Sequence, residues 1–469
     1  MLDLAVRGGT LVTADGIRSG DIGVAGGVIT EVGNVGVARE EIDARELHVL
    51  PGCVDVHTHL EGRRGGPDGP CSPDDFRSGT VAAACGGVTT IVDYARQYAG
   101  WTLEQTRQFW LGRASGAAVI DFGMHLVLAD FSDATLQELP SLVAAGMPTF
   151  KIFMNRLGDT DMLRTLRAIG AASGVACIHC ENAALDADSQ AQLIAEGHTS
   201  ARYWPTARPR ASEIEATARA VEYAAHTRCP IYIVHVATRE AVDHVRDGKS
   251  RGIAVVAETR PCYLLLTEEH YADPSPSYLG YTGYPPLRTP DDVDAVWAGL
   301  RDGTIDTIAS DHSAWSLEQK LPGEQDFREL LVGLPSLETQ LPALYSRAVE
   351  ERRLSLPRLV DALSAAPARA MGLYPRKGAL AVGSDADLVL FDTNRPTTIR
   401  YSQLHGRCGY EPLEGRACSG WPIVTISRGE VLVRNGNFVG PTGRGQFLAR
   451  TAPAAAGYDG SMHQSGSAT

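Results

Sequence analysis

The sequence predicts an α/β fold, a (β/α)8 TIM barrel with a small β-sandwich domain built from both chain ends. Three observations carry the prediction. Apolar strand-like runs alternate with stretches of helical periodicity over about three hundred residues. The polar residues that end or interrupt those runs fall where a barrel would aim them at one point. Both chain ends read differently, as short runs separated by Gly-containing turns, the pattern of small antiparallel strands. The expected division is residues 1–50 plus 378–450 for the sandwich, 51–377 for the barrel, and 451–469 for a flexible C-terminal tail rich in Ala, Gly and Ser.

Taken in order, residues 2–7, 10–13, 21–24 and 28–32 are the first candidate strands. The same style resumes from about Lys377, with candidates at 387–392, 423–427 and 429–434, the last running into Asn435-Gly436, a hairpin signal. The two ends are therefore expected to fold together over a barrel inserted between them. Within the barrel, residues 75–84, 161–172 and 213–227 are amphipathic enough to be outer-ring helices. No repeat of a solenoid type is visible.

The candidate chemistry lies at the strand ends. In Val54-Asp55-Val56-His57-Thr58-His59, two histidines stand two residues apart, so on a strand both imidazoles project from one face and can grip one metal ion. Lys151 lies inside the apolar run Thr149-Phe150-Lys151-Ile152-Phe153, where burial disfavours its ammonium form. A neutral amine there can add carbon dioxide, and the resulting carbamate has two oxygens able to bridge two cations. The runs ending at His179 and His235 read as buried parallel strands with a ligand at the carboxyl end, and a further run ends at Asp311. Asp311 can ligate a metal, take a proton from bound water, or do both in sequence. Each residue alone has an ordinary structural explanation, but together they supply imidazole and carboxylate-type ligands for two divalent ions.

Composition sets bounds on this reading. With 469 residues and 44% hydrophobic content, the chain can bury a barrel-sized core and a smaller unit. A formal net charge of −13 argues against a nucleic-acid partner. No apolar stretch approaches a membrane span and no signal-like segment opens the chain, so neither membrane nor export is expected. The nine cysteines, an odd number scattered through a long chain, are expected to be reduced thiols of a cytoplasmic protein.

His57-Thr58-His59 after Leu50-Pro51-Gly52, Phe150-Lys151-Ile152-Phe153-Met154, Ile178-His179-Cys180-Glu181-Asn182, Ile233-Val234-His235-Val236, Glu258-Thr259-Arg260-Pro261-Cys262-Tyr263-Leu264 and Ser310-Asp311-His312-Ser313 resemble the successive landmarks of the cyclic amidohydrolases, in the hydantoinase and dihydropyrimidinase branch. The resemblance runs from the N-terminus to about Arg450. It implies that Lys151 is carbamylated and bridges two ions, zinc ahead of manganese or cobalt. His57, His59, Lys151 and Asp311 would hold the first, and Lys151, His179 and His235 the second. Asp311 would be the general base for a metal-bridged hydroxide that opens a cyclic ureide or imide. A homotetramer is also implied.

Four substrate contacts depart from or extend the family pattern. Arg156 stands where the branch usually has a tyrosine that polarises the substrate carbonyl; a guanidinium can stabilise the same oxyanion or bind a substrate carboxylate. Tyr284 replaces a serine or asparagine before Pro285-Pro286, and either supplies the missing hydroxyl or narrows the pocket. Gly333 lies in a ring-binding loop in which Val332 replaces an asparagine. Arg63, in a Gly- and Pro-rich loop at the expected barrel mouth, leaves room for an anionic or polar exocyclic group.

Other functions weigh less. Dihydroorotases carry an arginine where this chain has Glu61, which disfavours dihydroorotate, while an allantoinase-like substrate stays open. A non-catalytic scaffold relative would not be expected to retain all six ligands. A single-ion deaminase has little need for a bridging carbamate on Lys151.

Overall fold

The computed structural model describes residues 1–452. The flexible tail expected over 451–469 lies, beyond residue 452, outside the described residues.

The chain opens with β1 (Leu2–Thr13), β2 (Gly16–Ala25), β3 (Val28–Gly33), β4 (Ala38–Asp43) and β5 (His48–Pro51). The runs expected as two strands at 2–7 and 10–13 form one strand, because Gly8-Gly9 makes a bulge, not a turn. Gly8 takes a left-handed φ of 72°, and a Cβ on Gly9 would come within 2.5 Å of Val49. The bulge lets β1 pair in parallel with β4 along its first half and with β5 along its second.

Eight parallel strands follow: β6 (Cys53–Thr58), β7 (Val88–Arg96), β8 (Asp121–Val127), β9 (Thr149–Phe153), β10 (Val175–His179), β11 (Ile231–Ile233), β12 (Val255–Thr259) and β13 (Thr307–Ile308), hydrogen-bonded in that order. The ring is joined between its ends where the His59 N–H donates to the His312 carbonyl at 2.9 Å. Their almost wholly buried sequences suit strands covered on both faces. The expected helices are present at Phe76–Cys85, Asp159–Ala171 and Arg210–Thr227, the first started by an Asp75–Ser78 capping box.

The chain ends with β14 (Leu388–Asp392), the short pair β15 (Thr397–Thr398) and β16 (Ala417–Cys418), then β17 (Trp421–Ser427), β18 (Glu430–Arg434) and β19 (Asn437–Phe438). Asn435 and Gly436 both have positive φ, at 54° and 83°, as a tight hairpin turn requires. β14 pairs antiparallel with β5, which welds the two ends into one nine-stranded sheet. The expected sandwich thus takes the form of a single sheet branching at β1, with Leu4, Ile22, Ile29, Ile42, Leu388 and Ile426 in a common core.

Lys377 sits under the barrel at the junction of the two sheets. It is fully buried, with Asp121 of β8 at 2.7 Å and Asp387 beside β14 at 2.8 Å. Among the described residues, no helix is long and apolar enough to cross a membrane.

Candidate active site

Alternation along the strands delivers some of the candidate residues directly. Val175 and Cys177 fill the barrel interior while Ala176 and Ile178 pack outward against the helices, so His179 points inward at the top of β10. Lys151 is aimed inward in the same way, between the outward-packing Phe150 and Ile152. Three others need a break in the pattern. Val54 and Val56 face inward, so alternation alone would turn His57 out; the register of β6 shifts between Asp55 and Thr58 and brings it in. His235 and Asp311 follow β11 and β13 with left-handed φ of 45° and 47°, a conformation uncommon for residues other than glycine.

All ten residues singled out from the sequence line one cavity of about 230 Å³: His57, His59, Lys151, His179, His235, Asp311, Arg156, Tyr284, Gly333 and Arg63. His57 Nε2 and His59 Nε2 stand 3.1 and 3.2 Å from the same Asp311 oxygen. His179 Nδ1 and His235 Nε2 face each other at 2.9 Å. The Lys151 ammonium lies 4.9 Å above the Tyr94 ring, and burial lowers its pKa to about 8, against the pull of Asp311 and Glu258.

Two buried carboxylates set the imidazoles. Glu258 accepts from His57 Nδ1 at 2.6 Å and from the Tyr232 hydroxyl at 2.9 Å, while Glu181 accepts from His179 Nε2 at 2.6 Å. Each carboxylate takes the N–H of one ring nitrogen and leaves the other with its lone pair toward the cavity. That is the orientation metal-binding histidines need. Burial, reinforced by the Lys151 charge, holds His179 well below its ordinary pKa, which keeps this ring neutral. Burial opposes ionisation of Asp311, but Arg260, whose Nη1 is 3.2 Å from Oδ2, and His57 outweigh it and hold the carboxyl well below its usual range. Neutral imidazoles, an ionised carboxylate and a lysine with a weakened hold on its proton form a donor set that fits divalent ions. The nitrogens and carboxylate oxygen of His57, His59 and Asp311 also lie within 4.8 Å of one another, close enough to share one ion.

The expected substrate contacts differ in what they leave free. Arg156 stacks on Phe153 with its guanidinium carbon 4.5 Å from the ring centre. The Tyr284 hydroxyl accepts from Asn155, and its ring lies 4.3 Å from that of His179. Gly333 lines the cavity, but its N–H donates to Thr282 at 2.9 Å and its carbonyl accepts from Lys320 at 2.6 Å. Its backbone is therefore largely committed inside the protein. Arg63 closes an isolated bridge with Cys71 and reaches the cavity wall.

Several residues that shape the site received no role from the sequence. Applying the strand-end test to β12 would have flagged Glu258, and Glu181 stands two residues beyond His179. Nothing local marks Tyr94, whose ring stacks between His59 and His125, or Arg260, whose partner is fifty residues away.

Known proteins resemble this chain along nearly its whole length. Residues 231–432 match the model of the Amidohydrolase family. A D-hydantoinase of Ralstonia pickettii is 39% identical over 456 residues, covering 96% of this chain and 99% of the relative. A D-phenylhydantoinase of Escherichia coli is 38% identical over 454 residues, covering 95% and 97%. The crystal structure of a dihydropyrimidinase from Brevibacillus agri superposes with a TM-score of 0.93 at 35% identity, over 96% of this chain and 99% of the other. With the metal-type donors already in place at the top of the barrel, this chain belongs to the amidohydrolase family, in its hydantoinase and dihydropyrimidinase branch.

Proposed function

We propose that this chain hydrolyses the amide bond of a cyclic ureide or imide of the hydantoin or dihydropyrimidine type at a centre of two divalent ions. One observation carries the reading: four histidines, an aspartate and a buried lysine from five strands converge on a single cavity, two of the imidazoles oriented by carboxylates. The names of the relatives, D-hydantoinase and dihydropyrimidinase, point to the same substrate class.

His57, His59, Lys151 and Asp311 would hold one ion and Lys151, His179 and His235 the other, with Lys151 carrying carbon dioxide as a carbamate. Zinc is the metal we assign first, with manganese and cobalt accepted by the same ligands. When bound, such ions acidify a water and polarise an amide carbonyl.

Asp311 enters turnover ionised, kept so by Arg260, and accepts the proton of the attacking water. It then returns that proton to the departing ring nitrogen, which would otherwise leave as a poor amide anion. The Tyr284 hydroxyl already has Asn155 as a partner, which leaves Arg156 as the candidate polar contact of this wall for the substrate. Ring opening keeps both product halves in one molecule. A cytoplasmic homotetramer completes the proposal, supported by the family resemblance and by nine cysteines that are all unpaired.

The test is a turnover panel of hydantoins, dihydrouracil, allantoin, dihydroorotate and cyclic imides with added metal. Ring opening of a hydantoin or dihydrouracil is expected for the wild type. Lys151→Ala should lose both metal and activity, and Asp311→Ala should lose turnover with the fold intact. Full activity in either variant would contradict the mechanism.

A further inference from the structure

The metal cavity opens outward into a second hollow of about 460 Å³, and the wall they share is rich in arginine. Arg63, Arg96 and Arg156 line both spaces. In a chain with 56 acidic and 43 basic residues, a concentration of positive charge at the mouth of the active site calls for an explanation.

The arginines around this wall fall into two groups, apart from Arg64, which lines only the second hollow and donates to the backbone carbonyls of Glu329 and Arg328. Arg208 is neutralised by Asp186 and by Glu181 at 3.3 Å, and Arg328 by Asp326 at 2.5 Å. Arg63, Arg96 and Arg156, by contrast, make no ion pair among the described residues. The buried Nε of Arg63 has no hydrogen-bond partner. Arg96 reaches only the carbonyl of Arg63, at 3.4 Å. Arg156 rests on the face of Phe153. Burial and the neighbouring charge of Arg156 both lower the pKa of Arg96, the mark of like charges facing one another without a counter-ion.

Resting on the proposed ring-opening reaction, we propose that the natural substrate is a cyclic ureide or imide whose exocyclic arm ends in a carboxylate, bound by Arg63, Arg96 and Arg156. Arg156 and Lys151 flank the same Phe153 ring, 4.5 and 5.3 Å from its centre, so the guanidinium adjoins the metal end of the cavity and an arm of about two to three carbons is the length to test first. Its methylene groups run past Leu60, Trp315 and Val332 on the same wall. A planar carboxylate matches the two-pronged donor face of a guanidinium and relieves the repulsion within the cluster. An uncharged arm would leave three cations facing it without compensation. This specificity departs from the phenyl arm in the name of the Escherichia coli relative.

The experiment compares three hydantoins of matched length on the metal-loaded enzyme: a 5-(2-carboxyethyl) compound, its primary amide, and a 5-propyl compound. The acid is expected to exceed the amide in kcat/KM by about tenfold or more, mainly through KM, with the advantage shrinking as salt is raised. Arg96→Gln and Arg156→Gln should each pull the acid-to-amide ratio toward one. Because the ratio is taken within one preparation, a general loss of folded protein does not imitate the effect. Equal turnover of acid and amide by the wild type, or a ratio untouched by both substitutions, would overturn this inference while leaving the ring-opening reaction standing. Failure to open these three rings would overturn this inference, and failure on dihydrouracil as well would overturn the proposed function with it.

Discussion

His57 and His179 each have one ring nitrogen held by a buried carboxylate, so the direction of their free lone pairs is decided by residues that touch no substrate. Glu258 also accepts from the Tyr232 hydroxyl and the His235 N–H, which ties two candidate ligands to one side chain. Glu258→Gln can no longer act as a two-acceptor carboxylate here, and metal affinity should fall about 10- to 100-fold, read by titrating the loaded protein with a chelator. Wild-type retention would rule out the orienting role. Lys151 offers a second test. Only the neutral amine adds carbon dioxide, and with a pKa of about 8 the neutral fraction grows as pH rises through that value. At constant dissolved carbon dioxide, metal reconstitution of stripped protein should run roughly tenfold faster at pH 9 than at pH 7. A rate flat across that interval would remove the lysine from the loading step.

At the scale of elements, the loop holding Gly333 is built around a buried lysine. Lys320 donates to the carbonyls of Leu279 and Gly333 and to the Thr282 hydroxyl, with no carboxylate among these partners, and burial lowers its pKa to about 7. The loop cannot relax around a larger residue, because a Cβ on Gly333 would stand 2.3 Å from the Ser313 carbonyl and the backbone φ is 141°. Lys320→Met should leave these acceptors unsatisfied, costing about 1–3 kcal/mol in denaturant unfolding and raising KM. Unchanged KM would show that the loop does not position substrate. The junction between the two sheets rests on Lys377, whose loss would strand Asp387 as a buried charge without its cation and leave Asp121 with Arg428 alone. Lys377→Met is expected to destabilise by about 3–5 kcal/mol. Burial alone would raise the pKa of Asp121, but Lys377 lowers it below its ordinary value. Its contribution is therefore present above the unfolded carboxyl pKa and is lost as pH falls through the lower folded one, so wild-type stability should fall on acidification in that range. A variant with an unaltered denaturation midpoint would show that the junction holds without the lysine.

For the whole molecule, ligands drawn from five strands around a ring mean that bound ions cross-link elements far apart in sequence. Removing them should lower the thermal midpoint, by the equivalent of about 4 kcal/mol where the free metal stands at a thousand times its dissociation constant, and adding metal back should restore it. A midpoint indifferent to chelation would argue against a metal centre. Much of this arrangement was legible in the chain. Apolar runs ending in His179 and bracketing Lys151 obey simple alternation, and their placement follows from it. The hairpin at Asn435-Gly436 and the helix after Asp75 were legible because their signals are local. Gly8-Gly9 misled, since a glycine pair marks a bulge as readily as a turn, and only the pairing of β1 with both β4 and β5 distinguishes them.

The sequence by itself determined the ligand types, their order along the strands and the alternation of barrel strand and helix, because these depend on periodicity and on the chemistry of single residues. The tertiary structure alone decided that His57 turns inward at a register shift and that His235 and Asp311 adopt left-handed backbones. It alone paired Glu258 with His57 and Arg260 with Asp311, and left Arg63, Arg96 and Arg156 without counter-ions on the wall that the two hollows share. The physical reason is range: backbone strain and desolvated charge are set by neighbours that the chain brings together only when the barrel closes.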